Sequence, residues 1–131
     1  MSLNYKRQKL YIDNTSIKGI AMRNATPFYV YSYKKIKDNF ETFCNYFKKV
    51  SPLVCFSVKS NSNVSILAEL GKLGSGADVV SEGELLKALK AKINPKKIVF
   101  SGVGKTDSEL QLAIKKRVLL INVESESEAL L

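Results

Sequence analysis

From residue 28 onward the chain alternates between two patterns: short runs of consecutive apolar residues, and longer stretches whose apolar residues recur every three or four positions. FYVY (28–31) reads as a strand, and Ile36, Phe40, Phe43 and Phe47 share one face of a following helix that Ser51-Pro52 would end. LVCFSV (53–58) is a buried strand, and 63–72 a helix stopped by Gly71 and Gly74. The rhythm then repeats. A strand at 77–80, a helix over 82–92 ending before Asn94-Pro95, a strand at 98–101, a helix over 107–117 and a strand at 119–123 follow, with Ser125 capping a last helix.

Strands joined through single helices must run parallel, because the crossover returns the chain to the same edge, and runs that are apolar on both faces fit a sheet covered on both sides. The fold class is therefore α/β, with four βα units at most between 53 and 123. An open Rossmann sheet would carry a glycine fingerprint between its first strand and helix, and none occurs. GSGAD (74–78) precedes a strand, so its amides cannot meet a pyrophosphate at a helix N-terminus.

Composition narrows the class further. With 131 residues, 45% hydrophobic and 25% charged, the chain has the make-up of a soluble globular domain. No apolar run approaches the roughly 18 residues of a membrane span, and the polar start lacks the apolar core of a secretion signal, so a cytoplasmic protein with no membrane partner is expected. The net charge of +9 comes from scattered lysines such as Lys34, Lys35, Lys37, Lys48, Lys49, Lys87 and Lys90, which alternate with apolar residues as solvated helix faces do. Without an arginine-rich run or aromatic RNA-binding signature, no nucleic-acid partner is expected. Cys44 and Cys55 lack metal-ligand spacing and there is no histidine, so both read as reduced core residues and no metal site is expected.

The candidate chemistry lies in CFSVKSN (55–61), where a lysine ends a strand. Side-chain alternation puts Leu53, Cys55, Ser57 and Lys59 on one face and Val54, Phe56 and Val58 on the other. Lys59 thus stands at the C-terminal mouth of the sheet, where α/β folds place their sites. A partly desolvated lysine there loses its preference for the charged form and supplies the free amine of Schiff-base chemistry. Position alone favours the blander reading, a lysine reaching past a strand end to solvent.

TPFYVYS, CFSVKSN, GSGADVVSEGEL, KIVFSGVGKT and INVESESE decide between these readings. From Thr26 to Leu131 they resemble, in order and approximate spacing, the opening motifs of the diaminopimelate decarboxylases, a pyridoxal-phosphate-dependent family with a (β/α)₈ TIM-type barrel followed by a β-domain. The resemblance implies that Lys59 forms the internal aldimine with pyridoxal 5'-phosphate, that Asp78 lies close to the cofactor ring, and that Ser57, where the family usually has alanine, lines the pocket floor. Glu84 matches a family acid near the site, but a carboxylate at a helix N-terminus reads the same way. Glu82 stands where glycine is common in the family.

The same resemblance implies removal of an α-carboxylate from an amino-acid substrate, giving lysine from meso-diaminopimelate. The alternatives are an ornithine- or arginine-type decarboxylase, or a non-catalytic homologue that binds cofactor or a partner. The family's ring-stacking histidine, glycine-rich phosphate loop and pyridine-pairing glutamate match nothing here, so the 131 residues are expected to be the first half of the barrel and inactive alone. Residues 1–25 resemble the N-terminal strand that pairs with the β-domain, and 26–131 the pyridoxal-phosphate-binding barrel. Half a barrel would leave Leu53, Cys55, Val99 and Ile121 facing absent strands, from which a homodimer is expected.

Overall fold

The computed structural model describes residues 3–131, so Met1 and Ser2 of the segment 1–25 lie outside the described residues. The chain forms two compact units that meet in sequence after Phe43.

In the first unit, β1 (Leu3–Lys6) and β2 (Lys9–Ile12) make an antiparallel hairpin, and β3 (Thr15–Ser16) adds to β2. Arg7 and Gln8 close the hairpin with φ of 49° and 62°, the left-handed pair that a two-residue turn needs to match the strand twist. Within residues 1–25, expected to resemble an N-terminal strand, the extended backbone stops at Ser16. Its hydroxyl accepts from the Gly19 amide and caps α1 (Ile17–Ala21) instead.

FYVY (28–31) is not a strand either, because no strand among the described residues pairs with it; Tyr29 and Tyr31 are exposed and stack at 6.4 Å. Helix α2 (Tyr33–Tyr46) starts where the Ser32 hydroxyl accepts from the Lys35 amide and donates to Asp13. Of its expected apolar face, Ile36 and Phe40 are half-buried and Phe43 is exposed.

The second unit carries the repeating βα pattern. Parallel strands β4 (Cys55–Ser57), β5 (Gly76–Val79), β6 (Ile98–Phe100) and β7 (Leu120–Ile121) lie side by side in chain order. Helices α3 (Val64–Lys72), α4 (Glu82–Lys90) and α5 (Asp107–Lys116) connect them, and α6 (Glu126–Ala129) follows β7. A doubly wound sheet reverses its strand order at a switch point, and this one does not reverse. Consecutive order is that of the opening part of a (β/α)₈ barrel, which is the fold of this unit.

Strand alternation sorts the two faces. Ala77, Val79, Ile98 and Phe100 are fully buried and form one core with Leu67, Leu85, Ala88 and Ala113 of the helices, while Phe56 and Ile121 pack against it. The other face presents Cys55, Ser57, Asp78, Val99 and Leu120, as the pairings Ser57↔Asp78, Asp78↔Val99 and Val99↔Leu120 require. Two expected inward positions are thereby corrected. Leu53 precedes β4, and Ile121 is paired with Phe100, which puts it on the helix side and leaves Leu120 on the other.

Candidate functional site

The strands of the second unit end in polar residues on the face away from the helices, and these residues join into one hydrogen-bonded row. Asp78 on β5 is its centre. Its Oδ2 accepts from the Ser57 hydroxyl at 3.1 Å and its Oδ1 from the Ser101 hydroxyl at 2.7 Å; Ser101 in turn accepts from the Asn122 amide at 3.0 Å. Each strand contributes one member at its C-terminal end. Parallel pairing sets Ser57 level with Asp78 and leaves Ser101 and Asn122 two residues further along their strands, and alternation aims the four side chains to the same side.

Lys59 stands two residues beyond Ser57. The strand expected over 53–58 and its alternation stop at Ser57, where Val58–Ser60 turns as one 3-10 turn that buries Val58 completely and turns Lys59 outward. Lys59 is exposed, so the partial desolvation expected for it is not supplied by its neighbours here. Among the described residues its ammonium has no hydrogen-bond or ion-pair partner, which leaves an uncommitted primary amine two residues beyond the Ser57 end of the polar row.

Glu84 is engaged elsewhere. Its Oε2 accepts from the Val80 amide at 2.9 Å while the Ser81 hydroxyl accepts from the Glu84 amide, a reciprocal cap on α4. The structure brings Ser57 and Asp78 together and gives Glu84 this capping part. Cys55, on the same face as Ser57, is half-buried, and burial followed by the nearby Asp78 charge pushes its thiol above the ordinary range. Cys44 and Cys55 are both free thiols.

Ser101 and Asn122 escaped sequence reasoning, although each is the polar residue that directly follows an apolar strand, as Ser57 ends β4. Lys105 gave no periodic signal at all. Its ammonium, 1% exposed, donates to the Gly102 carbonyl at 2.7 Å, the Asn122 carbonyl at 2.6 Å and the Glu128 carboxylate at 2.8 Å. The other Glu128 oxygen accepts from the Glu124 amide.

Two carboxylates carry a pH consequence. The Lys105 ammonium foremost, and then the Glu124 amide, hold Glu128 below the usual range; the Thr106 and Glu82 amides do the same for Glu109. A carboxylate depressed in the folded state adds stability that is complete above its unfolded value of about 4.3 and disappears as pH falls through the lower folded value. The urea midpoint is therefore expected to change little through these groups between pH 7 and about 5, and to fall below about pH 4. Glu109→Gln should make that acid limb shallower, as fluorescence-monitored titrations at several pH values would register.

An exposed lysine two residues past the first parallel strand, a carboxylate fixed by hydroxyls on the neighbouring strand, and a strand order without reversal make the C-terminal ends of this sheet the candidate site. Residues 33–130 match the profile of the pyridoxal-dependent decarboxylases over their pyridoxal-binding domain, and the chain belongs to that family.

Its relatives agree. It is 45% identical to the diaminopimelate decarboxylase of Aquifex aeolicus over 96% of this chain and 30% of the relative, and 53% identical to that of Helicobacter pylori over 79% and 25%. Among solved structures, diaminopimelate decarboxylase from M. jannaschii superposes with a TM-score of 0.94 at 36% identity over 98% of this chain and 31% of that one. The Helicobacter pylori enzyme complexed with L-lysine gives 0.82 at 48% identity over 85% and 28%. The chain thus spans about 30% of the length of the relatives it matches.

Proposed function

We propose that this chain carries the cofactor-anchoring part of a diaminopimelate decarboxylase, which converts meso-diaminopimelate to lysine and CO₂. The observation that carries the reading is Lys59: an exposed, uncommitted amine at the C-terminal end of β4, next to the Ser57–Asp78–Ser101–Asn122 row. The residues fit pyridoxal 5'-phosphate to that extent, with Lys59 as its covalent holder and Ser57 and Asp78 as neighbours that orient it. When bound, the cofactor supplies an electron sink for the pair left behind as the α-carboxylate departs.

The chain's own residues then have distinct parts. Lys59 would hold the cofactor, and as a free primary amine it would also be placed to carry a proton at its nitrogen. Asp78 is the fixed acceptor of the site, since hydroxyls on both its oxygens prevent the carboxylate from swinging away. Ser57 holds one of those oxygens from the neighbouring strand. Glu84, carried over with them, contributes by fixing the start of α4 directly after β5.

The same reading makes residues 1–25 the segment that pairs with a β-domain and residues 26–131 the first half of a complete TIM-type barrel. It also makes the protein a cytoplasmic homodimer. Among the described residues no helix is long and apolar enough to cross a membrane. Borohydride reduction of the cofactor-loaded intact protein, followed by peptide mass spectrometry, is expected to label Lys59, and CO₂ release is expected from meso-diaminopimelate in preference to ornithine, arginine or lysine. Label on another lysine overturns the site; preference for one of the other amino acids overturns the substrate.

A further inference from the structure

Lys105 is a fully buried charge that the proposed chemistry does not use. Burying an ammonium is costly unless its donors are met, and here three acceptors meet it: the Gly102 and Asn122 carbonyls and the Glu128 carboxylate. Such a buried pair is weak grounds for stability, since well-packed apolar residues often do as well or better. What the ammonium does in this fold is geometric. Gly102 follows Ser101 at the end of β6, and Asn122 follows β7, so one side chain ties together the exits of two neighbouring strands.

Those exits bear half of the polar row. Asn122 offers its carbonyl to Lys105, while its backbone amide donates to the Phe100 carbonyl and its side-chain amide to the Ser101 hydroxyl. Ser101 passes the constraint to Asp78. On its other side the turn is fixed by Gly102, which has a φ of +97° and would carry any Cβ 3.1 Å from the Val80 side chain. The exit of β6 is therefore held between the end of β5 and the Lys105 ammonium.

We propose that Lys105 is a positioning residue of the site: through the Gly102 and Asn122 carbonyls it holds Ser101 and Asn122 in register, and through them the orientation of the Asp78 carboxylate beside Lys59. This deepens the reading of Lys59 and Asp78 given above and rests on it. The structural alternative is that Lys105 merely neutralises Glu128.

The two roles separate in the intact protein through Lys105→Met alone and Lys105→Met with Glu128→Gln. The single variant strands a buried carboxylate and lowers the urea midpoint; the double variant removes both charges, leaves an acceptor for the Glu124 amide, and is expected to recover most of that loss. A positioning role predicts that the double variant nevertheless keeps kcat about tenfold or more below the parent with KM within about twofold, the scale of one lost hydrogen bond to a charged group. In the cofactor-free double variant, hydrogen exchange at the Asn122 and Ser101 amides is expected to be about tenfold faster while Ala77 and Val79 in β5 are unchanged.

Recovery of kcat and of Asn122 exchange together with stability would make Lys105 a structural ion pair and overturn the proposal. So would an undiminished kcat in Lys105→Met. If borohydride reduction of the parent labels a lysine other than Lys59, the underlying reading falls, and the positioning role falls with it whatever the exchange rates.

Discussion

Replacing Lys59 with alanine in the intact protein is expected to lower decarboxylation on the order of 10³-fold or more, the range lost when a group that moves protons is deleted. Lys59→Arg is expected to fail equally, because the guanidinium keeps the charge but remains protonated and is no nucleophile. The structure makes this test unusually clean. Lys59 is exposed and engaged with no partner among the described residues, so its removal should move the urea midpoint by less than the equivalent of about 0.5 kcal/mol. An activity loss with unchanged stability then reports chemistry. A Lys59→Ala protein that keeps more than a tenth of the parent's turnover would show that another group holds the cofactor.

The second large effect is on the fold. At Gly76, the first residue of β5, an added Cβ would fall far inside contact distance of the Lys97 carbonyl oxygen and 2.8 Å from Cys55 Sγ. The obstructing atoms belong to backbone and to a half-buried side chain between paired strands, so neither can swing aside. Overpacking ordinarily costs about 1–3 kcal/mol, and a clash with backbone belongs at the top of that range or beyond it.

Against a total stability of about 5–15 kcal/mol, Gly76→Ala should lower the urea midpoint sharply and reduce the soluble yield several-fold. The same change at Gly83 in α4, where a Cβ meets nothing closer than the Ser81 hydroxyl at 4.0 Å, should instead raise stability by about 0.5 kcal/mol. If both variants unfold alike, the close approach of β4, β5 and the Lys97 carbonyl is not what glycine serves at position 76.

The alternation of apolar runs and helical periodicity determined the second unit by itself. The strands near 53–58, 77–80, 98–101 and 119–123 and the intervening helices all appear, because each element's apolar residues match the period of the structure that buries them. The start of the last helix was legible as well, since Ser125 accepts from the Glu128 amide as expected; the structure adds Asn63, Ser81 and Thr106, which cap their helices by the same local chemistry. Position and motif together singled out Lys59, Ser57 and Asp78, and the register Ser57↔Asp78 puts two of them in contact.

Only the tertiary structure decided the rest, where pairing partners distant in sequence intervene. FYVY has strand composition and is no strand for want of a neighbour to complete its ladder, and Ile121, expected to face inward, is put on the helix side by its register with Phe100. Ser101, Asn122 and Glu128 acquire their roles from atoms more than twenty residues away, and Lys105 gains its own from the exits of two separate strands. Periodicity records which side of one element is apolar; it holds no record of which carbonyl lies opposite a loop lysine, because that depends on how separate strands are set beside each other.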